Sequence, residues 1–463
     1  MLAARLRFWF GFDAPVDRRM YVLNGAGLMA CKYLMDAAVV GAFTARLFTP
    51  LDYLNPVWTM RQQALRGVPT WAVLALALWT LPFLWVGVSM SMRRALDAGR
   101  SAWLAPLFFV PLVNYALMGL LSVLPSKPRV PPHSPLPPLP GPWRSERVLP
   151  VLDDRLKSGL LGVAAALAVA IPTVLFSVYV KKSYSVGLFL GTPFTVGSIS
   201  AHVFNYRHPR TAGQTHEVVI ISLVLAAGVL LLFAAEGAFC LALAFPLAIP
   251  VGIVGGIFGR AIALRSAEPP GRTGLAALVA PLLVLLEPHV APTVHEVVTV
   301  VEVAAPADVV WRRVVSFPDL PPPSEWVFRI GVAAPLRARI VGTGVGATRF
   351  CDFTTGSFVE PITAWQANRV LAFDITAQAP PMREWSPYRD VNPPHLDGYF
   401  RATHGEFLLT PLPGGRTRLE GRTTYVVDMF PQSYWTLPAG RIVAAIHGRV
   451  LRHIKATAEE EHR

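Results

Sequence analysis

The chain has 463 residues, of which 53% are hydrophobic and only 15% charged, and its mean hydropathy is +0.44. These values exclude a wholly soluble protein and predict that most of the chain lies in lipid. The net charge of +13 comes from short arginine clusters beside apolar segments, without the interleaved aromatic residues of a nucleic-acid-binding stripe. The charge therefore indicates membrane topology and contact with anionic lipid headgroups, and we expect no nucleic-acid partner.

Cysteine and histidine spacing predicts neither a disulfide framework nor a metal site. The cysteines are Cys31, Cys240 and Cys351, and the first two lie inside apolar segments. His447 and His453 are six residues apart on a predicted helix, so they do not share the face that a two-histidine site on a helix uses. We expect no metal and no cofactor.

Residues 1–124 are predicted to form a first membrane unit with two to three spans. Segments 21–48 and 70–90 are each long enough to cross a bilayer, which takes about 20 apolar residues. Segment 102–124 carries Pro106 and Pro111, and because each proline removes a backbone hydrogen bond, we predict a kink, hairpin or re-entrant segment there.

Lys32 and Asp36 stand four residues apart in the first predicted span, so they lie on one helix face. Two interpretations of this predicted intramembrane polar pair remain open. It either marks an ion or proton path, or the two charges neutralise each other and fix helix packing.

The sequence Arg-Arg-Ala-Leu-Asp-Ala-Gly-Arg-Ser-Ala-Trp occupies 93–103, between the second and third apolar segments. It resembles a small uncharacterised bacterial inner-membrane family marked by Arg-Arg-Leu-His-Asp-x-Gly-Arg-Ser-Gly-Trp at this place. Leu96 replaces the family's histidine and Ala102 its second glycine. Any proton or metal role of that histidine is therefore absent from this chain.

Residues 125–157 are a proline-rich linker, and 158–290 form a second membrane unit with four to five predicted spans. Its candidate spans are 160–180, 186–204, 218–233 and 239–261, followed by a short apolar segment at 274–286. If the short segment lies along the interface, the basic clusters place the N-terminus and the C-terminal domain in the cytoplasm. We therefore predict a multi-pass protein of the bacterial inner membrane.

Residues 294–460 alternate between strand-like and helical patterns. A β-branched run at 296–303 precedes a short helix at 306–314, further strands follow, and 438–459 carries one apolar helix face. In the last predicted strand Leu419 and Tyr425 fall on one face, and Arg416 and Arg418 on the other. This order predicts an α+β domain whose sheet buries one face against the final helix.

This part of the chain is similar to the helix-grip superfamily of START-like lipid-transfer domains and polyketide cyclases. The resemblance is carried by Ala-Pro-Ala-Asp-Val-Val-Trp at 305–311, by the segments 351–361 and 395–399, and by the helix at 446–455. It implies a curved antiparallel sheet around a long C-terminal helix, enclosing an apolar ligand cavity. The predicted fold class is thus a multi-pass helical membrane region followed by a helix-grip domain.

Several polar and aromatic side chains of this domain are candidates for reaching the cavity, and each has the alternative of a surface or sheet-pairing role. They are Trp311, Asp352, Glu360, Tyr399, Arg401, His404, Tyr425 and His447. The proline-rich insertion at 379–398 is predicted either to gate the cavity or to be a stiff crossover.

Three functional classes follow from this organisation. The first is a membrane-anchored protein that binds or transfers an apolar small molecule or lipid, with the bilayer and that ligand as its partners. The second is an acid/base enzyme of polyketide-cyclase type that uses the same cavity. The third is a transporter or stress protein in which the spans act and the soluble domain senses. We rank the binding function first because the cavity is what the resemblance implies most directly.

Overall fold

A computed structural model describes residues 6, 8–11, 15–44, 48–50, 52, 65, 67–109, 113–127, 154–206, 208–265, 278–287, 290–317, 319–386 and 392–463. The chain divides into two compact units. The first unit consists of Met1–Val174, Leu190–Ala226 and Leu247–Val290, and the second of Leu175–Phe189, Ala227–Pro246 and Ala291–Arg463. The second unit thus joins the whole C-terminal region to two short segments at the ends of membrane helices. Most of the predicted linker, 128–153, lies outside the described residues.

The described residues contain six helices that are long and apolar enough to cross a membrane, so the chain is a membrane protein. Five belong to α-helices that begin and end within the described residues: α1 (Arg18–Phe43), α2 (Thr70–Asp97), α4 (Asp154–Leu175, continued by a π-helix at Phe176–Val180), α6 (Ala212–Leu232) and α7 (Ala238–Arg265). The sixth is α5 (Thr192–Asn205), preceded by a π-helix at Gly187–Gly191.

The two segments with uncertain crossing form short helices. Segment 102–124 contains a 3-10 helix at Ala102–Phe109 and the helix α3 (Val113–Val123), and neither reaches the length of a span. The described part of 274–286 is the eight-residue helix α8 (Val279–Leu286), in which Val279, Ala280 and Val284 are buried.

The C-terminal region contains a seven-stranded antiparallel sheet in the order β1-β7-β6-β5-β4-β3-β2. Its elements, in chain order, are β1 (Val294–Val303), α9 (Ala307–Val315), α10 (Trp326–Arg329), β2 (Pro335–Val341), β3 (Thr348–Phe353), β4 (Gly356–Gln366), β5 (Val370–Asp374), a 3-10 helix (Pro394–Leu396), β6 (Phe400–Leu412), β7 (Arg416–Val427) and α11 (Gln432–His462). The predicted helix-grip fold class is confirmed.

The alternation along β7 explains how the sheet binds α11. Thr417 and Leu419 are fully buried, whereas Arg416 and Arg418 are exposed, because successive side chains point to opposite faces. Leu419 packs in one core with Leu451 and Ile454 of α11. Burying these apolar side chains stabilises the domain by about 1.5–3 kcal/mol for each large residue.

Candidate functional site

A cavity with a volume of about 110 Å³ lies between the sheet and α11 in the second unit. We call it the sheet cavity. Most of its lining is apolar and comes from β3 to β7 and from one face of α11. The lining residues are Arg349, Cys351, Phe353, Phe358, Glu360, Phe373, Ile375, Phe400, Ala402, Glu406, Phe407, Gly421, Arg422, Thr423, Val443, Ile446, His447, Val450 and Leu451.

A buried ion pair forms part of this lining. Arg349 of β3 and Glu360 of β4 are register partners across the two strands, and their side chains are 3% and 5% exposed. The Arg349 guanidinium carbon lies 4.6 Å from the ring centroid of Phe373, which places the cation against an aromatic face. Burial raises the pKa of Glu360, and the neighbouring Arg349 guanidinium opposes that rise. The sheet cavity therefore has one fully buried charged pair in its lining, in addition to the more exposed pair Glu406–Arg422.

His447 of α11 is the polar group that the helix contributes to the sheet cavity. One hydrogen bond of 2.7 Å joins its Nε2 to the Thr423 hydroxyl, and another of 3.2 Å joins its Nδ1 to the Thr299 hydroxyl. Burial lowers the pKa of His447 to about 4. At neutral pH the imidazole is therefore neutral, with one nitrogen donating and the other accepting.

The structure places the other predicted site residues at different locations. Trp311 packs edge-on against Trp365 in the core, with ring centroids 5.6 Å apart, and Tyr425 is buried beside Phe400. Three of the predicted polar residues lie on the outer parts of the domain. Asp352 pairs with Arg337, His404 contacts Asp374, and Arg401 is exposed. Of the predicted set, the structure brings Glu360 and His447 together in the lining, and ligand binding by any member stays a prediction.

Tyr399 lies beside a different polar cluster of the second unit, which was not predicted from the sequence. We call this set, consisting of Tyr184, Glu236, Cys240, Glu384 and His395, the Cys240 cluster; the Tyr399 ring lies edge-on to Tyr184. His395 Nε2 lies 2.8 Å from Cys240 Sγ and 3.2 Å from Glu384 Oε1.

The other ring nitrogen of His395, Nδ1, lies 2.9 Å from Glu236 Oε2. Glu236 Oε1 accepts a 2.6 Å hydrogen bond from the Tyr184 hydroxyl, and Glu384 Oε2 accepts one from the Phe239 backbone N–H. Burial disfavours the charged imidazole, but hydrogen bonds with Cys240, Glu236 and Glu384 raise the pKa of His395 to about 12. His395, Glu236 and Glu384 have side chains that are 5%, 8% and 0% exposed, whereas Cys240 is half-buried.

No local signal in the sequence could have identified the Cys240 cluster. Cys240 and His395 are 155 residues apart, and Cys240 stands in an apolar helix with no ligand-like spacing around it. The proline-rich insertion at 379–398 supplies both Glu384 and His395, while its residues 387–391 lie outside the described residues. A cysteine without nearby partners in sequence gave no indication that the fold brings four polar groups to it.

The arginine-rich motif at 93–103 has a structural role in the first unit. Arg94 is fully buried, and its guanidinium donates to the carbonyls of Leu121 and Leu124, next to the end of α3. A further nitrogen of Arg94 contacts Asp97 at 2.8 Å. Gly99 has φ +65°, a conformation that glycine adopts without strain, so the chain turns there immediately after α2. The motif thus binds two chain segments together.

Lys32 and Asp36 form the predicted ion pair on α1, and Asp36 is buried. The pair lies within one helix turn of the same span. Its use as an ion or proton path stays a prediction.

Comparisons with known proteins match two separate parts of the chain. Residues 9–135 match the model of a protein family of unknown function, DUF805, which confirms the resemblance predicted for the N-terminal membrane unit. No curated protein matches the chain.

Several solved structures are similar to the C-terminal sheet with its helix. A protein from Nitrosospira multiformis is 18% identical, with a TM-score of 0.24, over 36% of this chain and 100% of that chain. A truncated norcoclaurine synthase from Thalictrum flavum is 15% identical, with a TM-score of 0.24, over 36% and 95%. The Zhui aromatase/cyclase from Streptomyces sp. R1128 is 16% identical, with a TM-score of 0.23, over 36% and 93%. The family model thus matches residues 9–135, and the solved structures share with this chain an antiparallel sheet with a long C-terminal helix.

Proposed function

We propose that this protein is membrane-anchored and binds an apolar small molecule in the sheet cavity. The observation that carries the proposal is the cavity of about 110 Å³ between the sheet and α11, walled by phenylalanine and aliphatic side chains. An engineered apolar cavity of about 150 Å³ is large enough to bind benzene, so the sheet cavity is of the order of one aromatic ring. The size favours a single-ring molecule, or one end of a longer chain, over a whole lipid.

The polar groups of the lining define what such a guest would present. The Arg349–Glu360 pair and His447 provide a few fixed donors and acceptors within a mainly apolar wall, the usual composition of a small-molecule site. A guest with an apolar body and one hydroxyl or carbonyl group satisfies both parts of the lining. An acid/base enzyme is the second candidate, because Glu360 and His447 line the same cavity.

Filling the cavity tests the binding proposal directly. Gly421 lines the sheet cavity, and a Cβ built there meets Leu451 at 3.5 Å, an ordinary contact distance, so Gly421→Leu adds volume inside the cavity without backbone strain. Arg418→Leu is the matched control, since it adds the same side chain on the exposed face of the same strand.

The measurement is mass spectrometry of small molecules extracted from the wild-type chain and from both variants, purified identically in detergent. Bilayer lipids that accompany all three preparations cancel in the comparison. We expect a species present in the wild-type and Arg418→Leu preparations and lost from Gly421→Leu. Two results together would overturn the proposal. The three proteins would give identical extracts, and added phenol would bind no better to the wild type than to Gly421→Leu. A guest recovered as a chemically altered product would favour the enzyme.

The orientation of the domain is a second part of the proposed function. Sequence analysis predicts a cytoplasmic C-terminal domain in an inner membrane, with 274–286 lying along the interface. The contacts within the second unit favour the other side. Residues 181–186, between the spans that contain α4 and α5, and 233–237, between α6 and α7, belong to the same compact unit as the sheet.

The opposite ends of these helices carry more of the basic residues. Lys181 and Lys182 lie on the side of the sheet, whereas the other helix ends carry Arg155, Lys157, Arg210, Arg260 and Arg265. Because positively charged loops stay in the cytoplasm, this distribution supports a C-terminal domain outside the cytoplasm. We expect an alkaline phosphatase fused after Arg463 to be active. An inactive phosphatase fusion together with a fluorescent cytoplasmic-type fusion would restore the cytoplasmic prediction.

A further inference from the structure

The Cys240 cluster lies outside the lining of the sheet cavity, and the proposed function gives it no role. Its three metal-ligating groups come from distant parts of the chain: Cys240 from the first turn of α7, Glu384 from the chain after β5, and His395 from the 3-10 helix. One ligand atom from each lies within 4.8 Å of the others. A sulfur, a nitrogen and a carboxylate oxygen thus converge on one buried point.

We propose that Cys240, Glu384 and His395 bind one zinc ion. Thiolate, imidazole and carboxylate are the three side-chain ligands of zinc in proteins, whereas calcium and magnesium prefer oxygen ligands alone. Three protein ligands leave the fourth tetrahedral position for a water or for an atom of a substrate. The site is therefore of the open kind that carries reactions, distinct from the closed sites that only hold folds together.

The groups around the three ligands are those that a histidine-bound metal requires. Glu236 Oε2 lies 2.9 Å from His395 Nδ1, so a proton on Nδ1 faces a carboxylate, and a cation between Cys240 and Glu384 would take the place of the proton on Nε2. Tyr184 fixes the Glu236 carboxylate through its own hydrogen bond, and the Phe239 N–H fixes the far oxygen of Glu384. Two of the three ligands, His395 and Glu384, are thus oriented by a second group.

The distances leave only a small movement for zinc to enter. Sγ and Nε2 are 2.8 Å apart. A tetrahedral zinc with Zn–S of about 2.3 Å and Zn–N of about 2.0 Å separates its sulfur and nitrogen by about 3.5 Å. A shift of under about 1 Å in the Cys240 and His395 side chains therefore converts the observed contacts into coordination.

The same contacts raise a second chemistry, in which His395 deprotonates Cys240 and Glu236 orients the imidazole, as in a thiol nucleophile. Glu384 argues against it. Its Oε1 lies 3.2 Å from the Nε2 that would take the thiol proton, and a carboxylate there disfavours a neighbouring thiolate. A cation resolves this conflict because it attracts the thiolate and the carboxylate together.

Metal analysis of the full-length chain tests the proposal. The chain is purified in detergent without chelator, and its zinc content is measured by inductively coupled plasma mass spectrometry. We expect one zinc per chain in the wild type and loss of zinc in Cys240→Ser, Glu384→Gln and His395→Gln. Cys351→Ser is the matched control, because Cys351 is also buried but lies in the sheet, apart from the cluster. Glu236→Gln should weaken zinc binding by about 10–100-fold without abolishing it.

Cobalt substitution keeps the test valid if a variant folds poorly. Co²⁺ added to the metal-stripped wild type should give a thiolate-to-cobalt charge-transfer absorption, which Cys351→Ser retains and Cys240→Ser loses. A wild-type chain that carries no zinc and takes up no Co²⁺ would overturn the proposal. The opposite outcome is a metal-free wild type that iodoacetamide alkylates rapidly at Cys240, as located by peptide mapping. If Glu236→Gln abolishes this alkylation, Cys240 is assigned as a thiol nucleophile instead.

Discussion

The sheet cavity and the Cys240 cluster both belong to the second unit, yet they are built in opposite ways. The sheet cavity holds empty space, and its few polar groups are paired with each other or with hydroxyls. In the Cys240 cluster, a thiol and two carboxylates contact a single imidazole. The difference indicates what each accepts: an apolar body with one polar group in the first, and a small cation in the second.

The largest expected effect comes from removing one member of the buried ion pair in the sheet cavity. Glu360→Gln leaves the Arg349 cation buried without its counter-charge, which typically costs about 3–5 kcal/mol of unfolding free energy. The double variant Arg349→Met/Glu360→Leu removes both charges and should be close to the wild type, because such replacements are often neutral or stabilising. Denaturant titration of the detergent-solubilised chain measures both.

A Glu360→Gln variant as stable as the wild type would show that water reaches Arg349. The sheet cavity would then be an open pocket with a hydrated wall. A double variant as unstable as the single one would instead show that the Arg349 and Glu360 side chains stabilise the domain through their packing as well as through their charges.

The second prediction concerns the pH dependence of stability that His447 of the sheet cavity produces. The pKa of His447 is lowered to about 4, below the ordinary histidine value of about 6.5, so the unfolded chain binds this proton more readily than the folded one. Stability from His447 is therefore complete above pH 6.5 and is lost as the pH falls from about 6.5 to about 4. The full loss is about 3 kcal/mol, since one pKa unit corresponds to about 1.4 kcal/mol.

His447→Gln isolates this contribution, because glutamine keeps a donor and an acceptor for Thr299 and Thr423 but does not titrate. Its unfolding free energy should vary less between pH 6.5 and 4 than that of the wild type. Parallel curves for the two proteins would mean that His447 is protonated without cost in the folded chain.

The sheet was predictable to the extent that its strands alternate. The buried and exposed faces of β7 followed from the alternation of its arginines with other residues. The registers of β1 and β6 against β7 then determine which of their side chains lie on the same buried face. The strand β2 was not predicted, because it lies at the sheet edge, where Arg337 and Arg339 interrupt the apolar pattern. The Cys240 cluster was not predictable, since its groups meet only through tertiary contacts.

The third prediction compares two tyrosine hydroxyls of the second unit. Tyr184 donates to the buried Glu236 carboxylate, whereas Tyr434 donates to the neutral carbonyl of Leu243. Tyr184→Phe should cost about 1.5–3 kcal/mol and Tyr434→Phe about 0.5–1.5 kcal/mol, because hydrogen bonds to charged groups contribute more. Equal losses in a denaturant titration would mean that the hydrogen bond from Tyr184 contributes no more than one to a neutral carbonyl, which would weaken the assignment of Glu236 as the partner of His395.

The smallest expected effect belongs to an exposed ion pair and sets the baseline for the buried one. Arg312 of α9 contacts Glu461 of α11 at 2.7 Å, with side chains that are 55% and 30% exposed. Water and salt screen such a pair, and holding two long side chains in place costs entropy, so Arg312→Ala should leave the unfolding free energy unchanged within measurement error. The test is the same denaturant titration at low and high salt, run beside Glu360→Gln. A loss in Arg312→Ala comparable to that in Glu360→Gln would show that burial is not what makes the Arg349–Glu360 pair important. The difference between the buried sites and the domain surface would then have to be shown by guest binding in the sheet cavity and metal binding in the Cys240 cluster, without support from stability.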